Sequence, residues 1–131
     1  MDYSQIIFLL GRIILGGYFL RAGRSHLLNT QMLAGYAASQ GVPFPRLAVI
    51  GSGLLLLAGG LGIVAGVYVM WALLALVVFL VPVTFQMHAF WKISDPNMKM
   101  TQSVNFWKNL ALLGAVLMLL SLPTPWPISL F

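Results

Sequence analysis

The chain has no cysteine and only two acidic residues, Asp2 and Asp95, against seven lysines and arginines. The first absence excludes disulfides, thiolate metal sites and thiol redox chemistry carried by this chain. The second leaves little for acid–base catalysis by carboxylates. Charged residues make up 7% of the 131 residues, where a soluble domain carries roughly a quarter. There is no P-loop, nucleophile elbow or dinucleotide fingerprint, and the many glycines sit inside apolar runs. No internal repeat and no low-complexity linker is present. The first apolar run follows Asp2 with no lysine or arginine and no small-residue cleavage site, so it is not read as a cleavable signal.

What is present is apolar length. Hydrophobic residues reach 60% of the chain and the mean hydropathy is +0.96, which places the protein in lipid. The net charge of +5 does not indicate nucleic acid, because the cations flank apolar spans and form no basic stripe. Four spans are expected, over residues 5–26, 46–66, 67–91 and 96–122, forming a single domain over 1–131. Between Leu54 and Phe85 no charge appears, and one helix of that length would extend about 48 Å, beyond a hydrocarbon core of about 30 Å. The run must fold back, and Gly66-Val67-Tyr68 is the expected break. The expected fold is all-α: a polytopic membrane protein, a four-transmembrane-helix bundle with a short interfacial helix between helices 1 and 2. That short helix lies in TQMLAGYAASQG, residues 30–41, with Gly41 as its stop and Val42-Pro43-Phe44-Pro45 as a stiff turn. Asp95-Pro96 should cap and open the fourth helix. The tail PTPWPISLF cannot continue it, and Trp126 is expected at the headgroups.

Cations gather in two connections. Arg21, Arg24 and Arg46 flank the first; Lys92, Lys99 and Lys108 flank the third. The positive-inside rule then puts both termini on the non-cytoplasmic side. Ala58, Gly62 and Gly66 recur at four-residue spacing on helix two, with Gly59 and Gly60 alongside. Such a stripe packs helices closely within a bundle, and it is also a homodimer face. Gly16 and Gly23 form a similar stripe on helix one, on the face of Arg12 and His26.

The candidate site consists of polar residues inside or at the ends of these spans. Arg12 lies well inside span one, where facing lipid would cost several kcal/mol. With no acid in any span it needs carbonyls, hydroxyls, amides or a carbonyl-bearing ligand. Thr84, His88 and Trp91 share a face of helix three at spacings of four and three, and Gln102, Asn105 and Asn109 share one on helix four beside Lys108. His26, Tyr36, His88, Asn105 and Lys108 are expected to converge on one mouth, suited to a quinone or another apolar carbonyl compound. The plainer reading is that these groups only cap the bundle at the headgroups. The ligand-binding set is Arg12, His26, Tyr36, Thr84, His88, Trp91, Asn105 and Lys108; no catalytic residue is assigned. Two histidines on different segments make no zinc site, and the methionines beside His88 and Lys99 read as packing, not copper ligands, so no metal is expected.

The sequence resembles the DoxX family of small bacterial membrane proteins over nearly its full length. The resemblance rests on LLGRIILGGYFLRAGRSHL in helix one, GVPFP before helix two, SGLLLLAGG within it, HAFW closing helix three and FWKNLALLG in helix four. It implies a four-helix bundle of the bacterial inner (cell) membrane that serves as an auxiliary subunit of a membrane oxidoreductase or electron-transfer complex. It also implies a quinone-like or lipid ligand and a soluble or membrane oxidoreductase partner besides the membrane lipid. No intrinsic cofactor is expected; a quinone is the cofactor class open to it, and nucleic acid is not a partner. Many relatives carry an acid three positions before the paired glycines, where this chain has Leu56, so a proton-transfer role for that acid does not carry over. Two other readings stay open: a stand-alone membrane enzyme acting on a lipophilic substrate, and a transporter or assembly factor acting as a homodimer through Ala58, Gly62 and Gly66.

Overall fold

The structure, a computed structural model, describes residues 2–130. Among these the chain forms five α-helices and one 3-10 turn, and no strand. They are α1 (Tyr3–Leu28), α2 (Thr30–Ser39), α3 (Pro45–Ala65), α4 (Val69–Gln86), the 3-10 turn Phe90–Lys92, and α5 (Pro96–Leu120). Four of the helices are long and apolar enough to cross a membrane, while α2 is short. The protein is a polytopic all-α membrane protein.

Local chemistry sets the helix ends. Asp2 opens α1 with a capping box: its carboxylate accepts from the Gln5 amide at 2.9 Å, and Gln5 Oε1 accepts from the Asp2 amide at 3.2 Å. Those bonds favour the ionised form, so the Asp2 carboxyl titrates below its ordinary value. Asp95 caps α5 through the Met98 amide at 3.2 Å, and Pro96 takes the first helical position, where no N–H is needed. Between α3 and α4 the chain reverses through Gly66 at φ 73 and Tyr68 at φ 46. The break expected at Gly66-Val67-Tyr68 is where the structure has it. Gly66 ends α3 in the left-handed conformation that glycine adopts without a Cβ penalty.

The tightest packing joins α1 to α3. A Cβ on Gly16 would lie 2.9 Å from the Gly60 carbonyl, and one on Gly60 2.8 Å from the Gly16 carbonyl. Lower down, a Cβ on Gly23 would lie 2.8 Å from the Gly53 carbonyl. Small residues here let two backbones touch, which replaces the hydrophobic drive that lipid does not supply. The expected dimer stripe is used the same way. Gly62 abuts Ala72 of α4, and Gly66 abuts the Arg12 guanidinium and Ser129 of the tail. Gly62 and Gly66 are both covered inside the chain, while Ala58 is exposed. The core gathers Phe19, Leu56, Ile63, Leu73, Leu76, Leu80 and Val116 from all four long helices.

Two expectations change. The third span does not remain helical to Trp91: α4 stops at Gln86, and His88 sits in a non-helical link before the 3-10 turn. Thr84, His88 and Trp91 therefore do not share one helix face. The exposed end of α4 is instead tied to α2, as Gln86 Nε2 donates to the Gln40 carbonyl at 2.8 Å and Tyr36 donates to the Met87 carbonyl at 3.2 Å. Trp126, expected at the headgroups, is packed against protein side chains. It is buried at 2% exposure, edge-on to Phe8 at 5.2 Å, because the tail folds back over the ends of α1 and α3.

Candidate functional site

The polar residues of the spans separate into two groups at opposite ends of the bundle. At the end that holds the α3–α4 turn and the tail, Arg12 is 2% exposed. Its Nε donates to the Ile63 carbonyl at 2.9 Å, Nη2 to the Val64 carbonyl at 2.9 Å and Nη1 to the Pro127 carbonyl at 2.6 Å. The guanidinium also lies over the rings of Phe8 and Trp126, at 5.9 and 5.8 Å. The last four carbonyls of a helix lack intrahelical partners, and here all four are met. Gly62 receives the amides of Gly66 and Val67, Ile63 and Val64 receive Arg12, and Ala65 receives the Leu130 amide at 3.0 Å. Arg12 is a cap for α3 and a clasp for the tail.

The opposite end holds a half-open cavity of about 480 Å³ between α1, α2, α3, α4 and α5. Its walls are mainly apolar, including Phe19, Leu55, Leu56, Phe79 and Leu112. Its polar groups are Tyr18, His26, Tyr36, Ser52, Gln86, His88, Lys108 and Asn109, with no carboxylate among them. The backbones of α1 and α5 nowhere come within 8 Å of each other. That seam is bridged by side chains, with Lys108 Nζ over the Tyr18 ring at 5.7 Å.

Of the residues expected in one site, His26, Tyr36, His88 and Lys108 line this cavity. Arg12 does not; the length of α4 between the two ends, about 27 Å at 1.5 Å per residue, separates it from His88. Thr84 lies on α4 with 0% exposure, outside the lining, and its hydroxyl has no partner among the described residues. Trp91 packs edge-on to Phe90 and Phe106 at 5.3 and 5.5 Å, in an aromatic cluster beside the cavity. Asn105 is half-buried on α5 and does not line it. The sequence-derived set omits Tyr18, Ser52, Gln86 and Asn109. Tyr18 could have been found, since Tyr18, Ala22 and His26 recur at four-residue spacing on one face. Asn109 stood beside Lys108 in the expected polar face of α5. Ser52 carried no signal in the sequence.

Hydrogen bonding within the cavity is uneven. His26 Nδ1 lies 2.9 Å from Ser52 Oγ and 3.4 Å from the Val49 carbonyl, and Ser52 itself donates to Val49 at 3.0 Å. His88 Nδ1 lies 2.7 Å from Gln102 Oε1. Burial raises the Tyr36 phenol above its ordinary value, so it keeps its proton and donates it to the Met87 carbonyl. Asn109 differs: it is 6% exposed, faces the cavity and makes no hydrogen bond to any described residue. Its amide opens into the cavity, where water or the polar head of a ligand can meet it. Among the described residues no three His, Asp or Glu side chains are close enough to hold a metal ion.

A family model described as DoxX matches residues 7–89, from the first turns of α1 to the link that carries His88. This is more than half of the chain, and the chain belongs to the DoxX family. The match includes His26, Tyr36, Ser52 and His88 but not the α5 residues Lys108 and Asn109. No curated protein and no solved structure matches the chain.

Proposed function

Taking membership of the DoxX family as premise, we propose that this membrane protein binds a quinone-like lipophile in the α1–α5 cavity. It does so as the auxiliary subunit of an electron-transfer assembly. The observation that carries the reading is the mainly apolar cavity itself, onto which Asn109 presents an amide that no described residue engages. An apolar wall with a few convergent polar groups is the usual form of a small-molecule site. The cation Lys108 and the absence of carboxylates suit a head rich in oxygen acceptors or shared electron density. With no cysteine in the chain, thiol chemistry in such an assembly belongs to a partner subunit. The cations of the loops flank the cavity end, which supports an orientation with that end at the cytoplasmic face of the bacterial inner membrane and both termini on the other side.

The test is direct binding. Decylubiquinone titrated into the purified protein in phosphatidylcholine nanodiscs should quench tryptophan fluorescence saturably. Asn109→Leu and the cavity-filling Leu112→Trp should each weaken that binding about 10-fold, the loss expected for about one hydrogen bond or its packing equivalent. Quenching that rises linearly without saturation in the wild type contradicts the proposal.

A further inference from the structure

The sign of the cavity's charge does not depend on where either histidine keeps its proton. The lining holds one fixed ion, the Lys108 ammonium, and no carboxylate. Neutral imidazoles at His26 and His88 leave a single positive charge, and protonated ones add to it. No state of the two rings makes the lining negative. The chain's two acidic side chains lie elsewhere and are already engaged. Asp2 caps α1 at the other end of the bundle, and Asp95 caps α5 through the Met98 amide. Asp95 comes thirteen residues before Lys108, about 20 Å along the helix.

Lys108 both lines the cavity and is exposed, which puts it at an opening, with its Nζ over the Tyr18 ring at 5.7 Å. Asn109, the next residue, presents its amide to the same space. Phe19 and Leu56, both fully buried, form part of the apolar wall together with Leu112. An amphiphile can therefore lay its body against that wall and keep its head at the ammonium. The surroundings have the same sign. Arg21, Arg24, Arg46, Lys92 and Lys99 are all exposed, and no described carboxylate pairs with any of them. Arg46 and Lys99 lie in the first turns of α3 and α5, where the helix dipole disfavours a cation, so helix stability does not account for them. A cleft of one sign between low-dielectric walls concentrates ions of the other sign at its mouth.

We infer that the cavity selects lipophiles with an anionic head, seated at Lys108 with the apolar body among Phe19, Leu56 and Leu112. For a quinone-like ring this means an acidic hydroxyquinone in its ionised form over a neutral quinone of the same size. An anionic oxygen accepts a charge-assisted hydrogen bond from the ammonium, about twice as strong as a neutral one. A neutral head gains only the weaker bond, and no carboxylate in the lining repels the anion. The inference rests on the preceding reading that the cavity is a ligand site and adds the charge of the head that the site takes.

The experiment compares a hydroxynaphthoquinone, ionised at neutral pH, with the methylnaphthoquinone that carries the same undecyl chain. Both are titrated calorimetrically into the protein in phosphatidylcholine nanodiscs, with the heat of protein-free discs subtracted. The wild type should bind the hydroxyquinone about 10-fold more tightly, as expected for one charge-assisted bond in place of a neutral one. Lys108→Gln should bring the affinity ratio close to one by weakening the hydroxyquinone, and Lys108→Arg should keep the preference. Added salt should weaken the hydroxyquinone more than the methylquinone. The thermal midpoint of each variant, read in parallel, checks its folding. Equal binding of the two quinones by the wild type, or a ratio that Lys108→Gln leaves intact, would overturn the inference. Saturable binding without the charge preference defeats only this inference. Binding of neither quinone defeats the cavity reading beneath it as well.

Discussion

The Arg12 end and the His88 end of the bundle are built from the same raw material, a few polar side chains within apolar helices, yet they differ in completeness. At the Arg12 end three carbonyls receive the guanidinium and every terminal carbonyl of α3 has a donor. Its one loose group among the described residues is the Trp126 indole N–H. At the His88 end a half-open cavity of about 480 Å³ remains, lined by Asn109, whose amide no described residue engages. A polar network that closes on itself acts as structure, whereas one left open at a cavity is prepared for something else. The difference lies in which hydrogen bonds are already made, not in residue type or depth.

Substitutions should sort the two ends by the property they damage. The largest effect is expected at Arg12. Arg12→Leu strips donors from Ile63, Val64 and Pro127, and at about 1–3 kcal/mol for each buried acceptor left unmet the loss should exceed about 3 kcal/mol. A fall in the thermal midpoint of the detergent-solubilised protein measures it; a midpoint within error of the wild type would show the clasp to be idle. Next comes the α1–α3 seam. Gly60→Val drives a side chain against the Gly16 carbonyl and the Leu20 backbone, and should cost about 1–3 kcal/mol by the same assay.

Asn109→Leu should do the reverse of Arg12→Leu. Removing an unpartnered amide should leave stability unchanged or raise it by up to about 1 kcal/mol, while ligand affinity falls about 10-fold. If it destabilises the protein as Arg12→Leu does, the contrast between the two ends collapses. The smallest effect belongs to Tyr36→Phe, which deletes one half-buried bond from α2 to Met87. About 1 kcal/mol or less is expected, with faster amide exchange across residues 30–41 as the more sensitive readout.

Much of the fold was legible before the structure because its signals are local. Asp95-Pro96, Gly41 and Gly66-Val67-Tyr68 each carry their own reason to cap, stop or turn, and the structure has them in those roles. The end of α4 was not legible. Pro82 lies inside the helix, the helix stops four residues later at Gln86 without a glycine or second proline, and its last groups are held by α2, which is distant in sequence. Arg12 could be read as buried and in need of oxygen acceptors. Which carbonyls answered depended on a tail more than a hundred residues away, so it seemed to belong with His88 when it does not. The cavity was legible only in part, because His26, Tyr36, His88 and Lys108 announce themselves by type. Asn109 becomes informative only through a hydrogen bond it fails to make, and no sequence displays that.

The central claim is that the chamber beside Asn109 and His88 is a ligand site. The measurement that meets it most directly is an experimental structure of the wild-type protein in lipid nanodiscs supplied with decylubiquinone. The account predicts continuous density in the cavity between α1, α4 and α5, with its head within hydrogen-bonding distance of Asn109. A chamber closed by rotated side chains, or one in which Asn109 has found a protein partner, would contradict it.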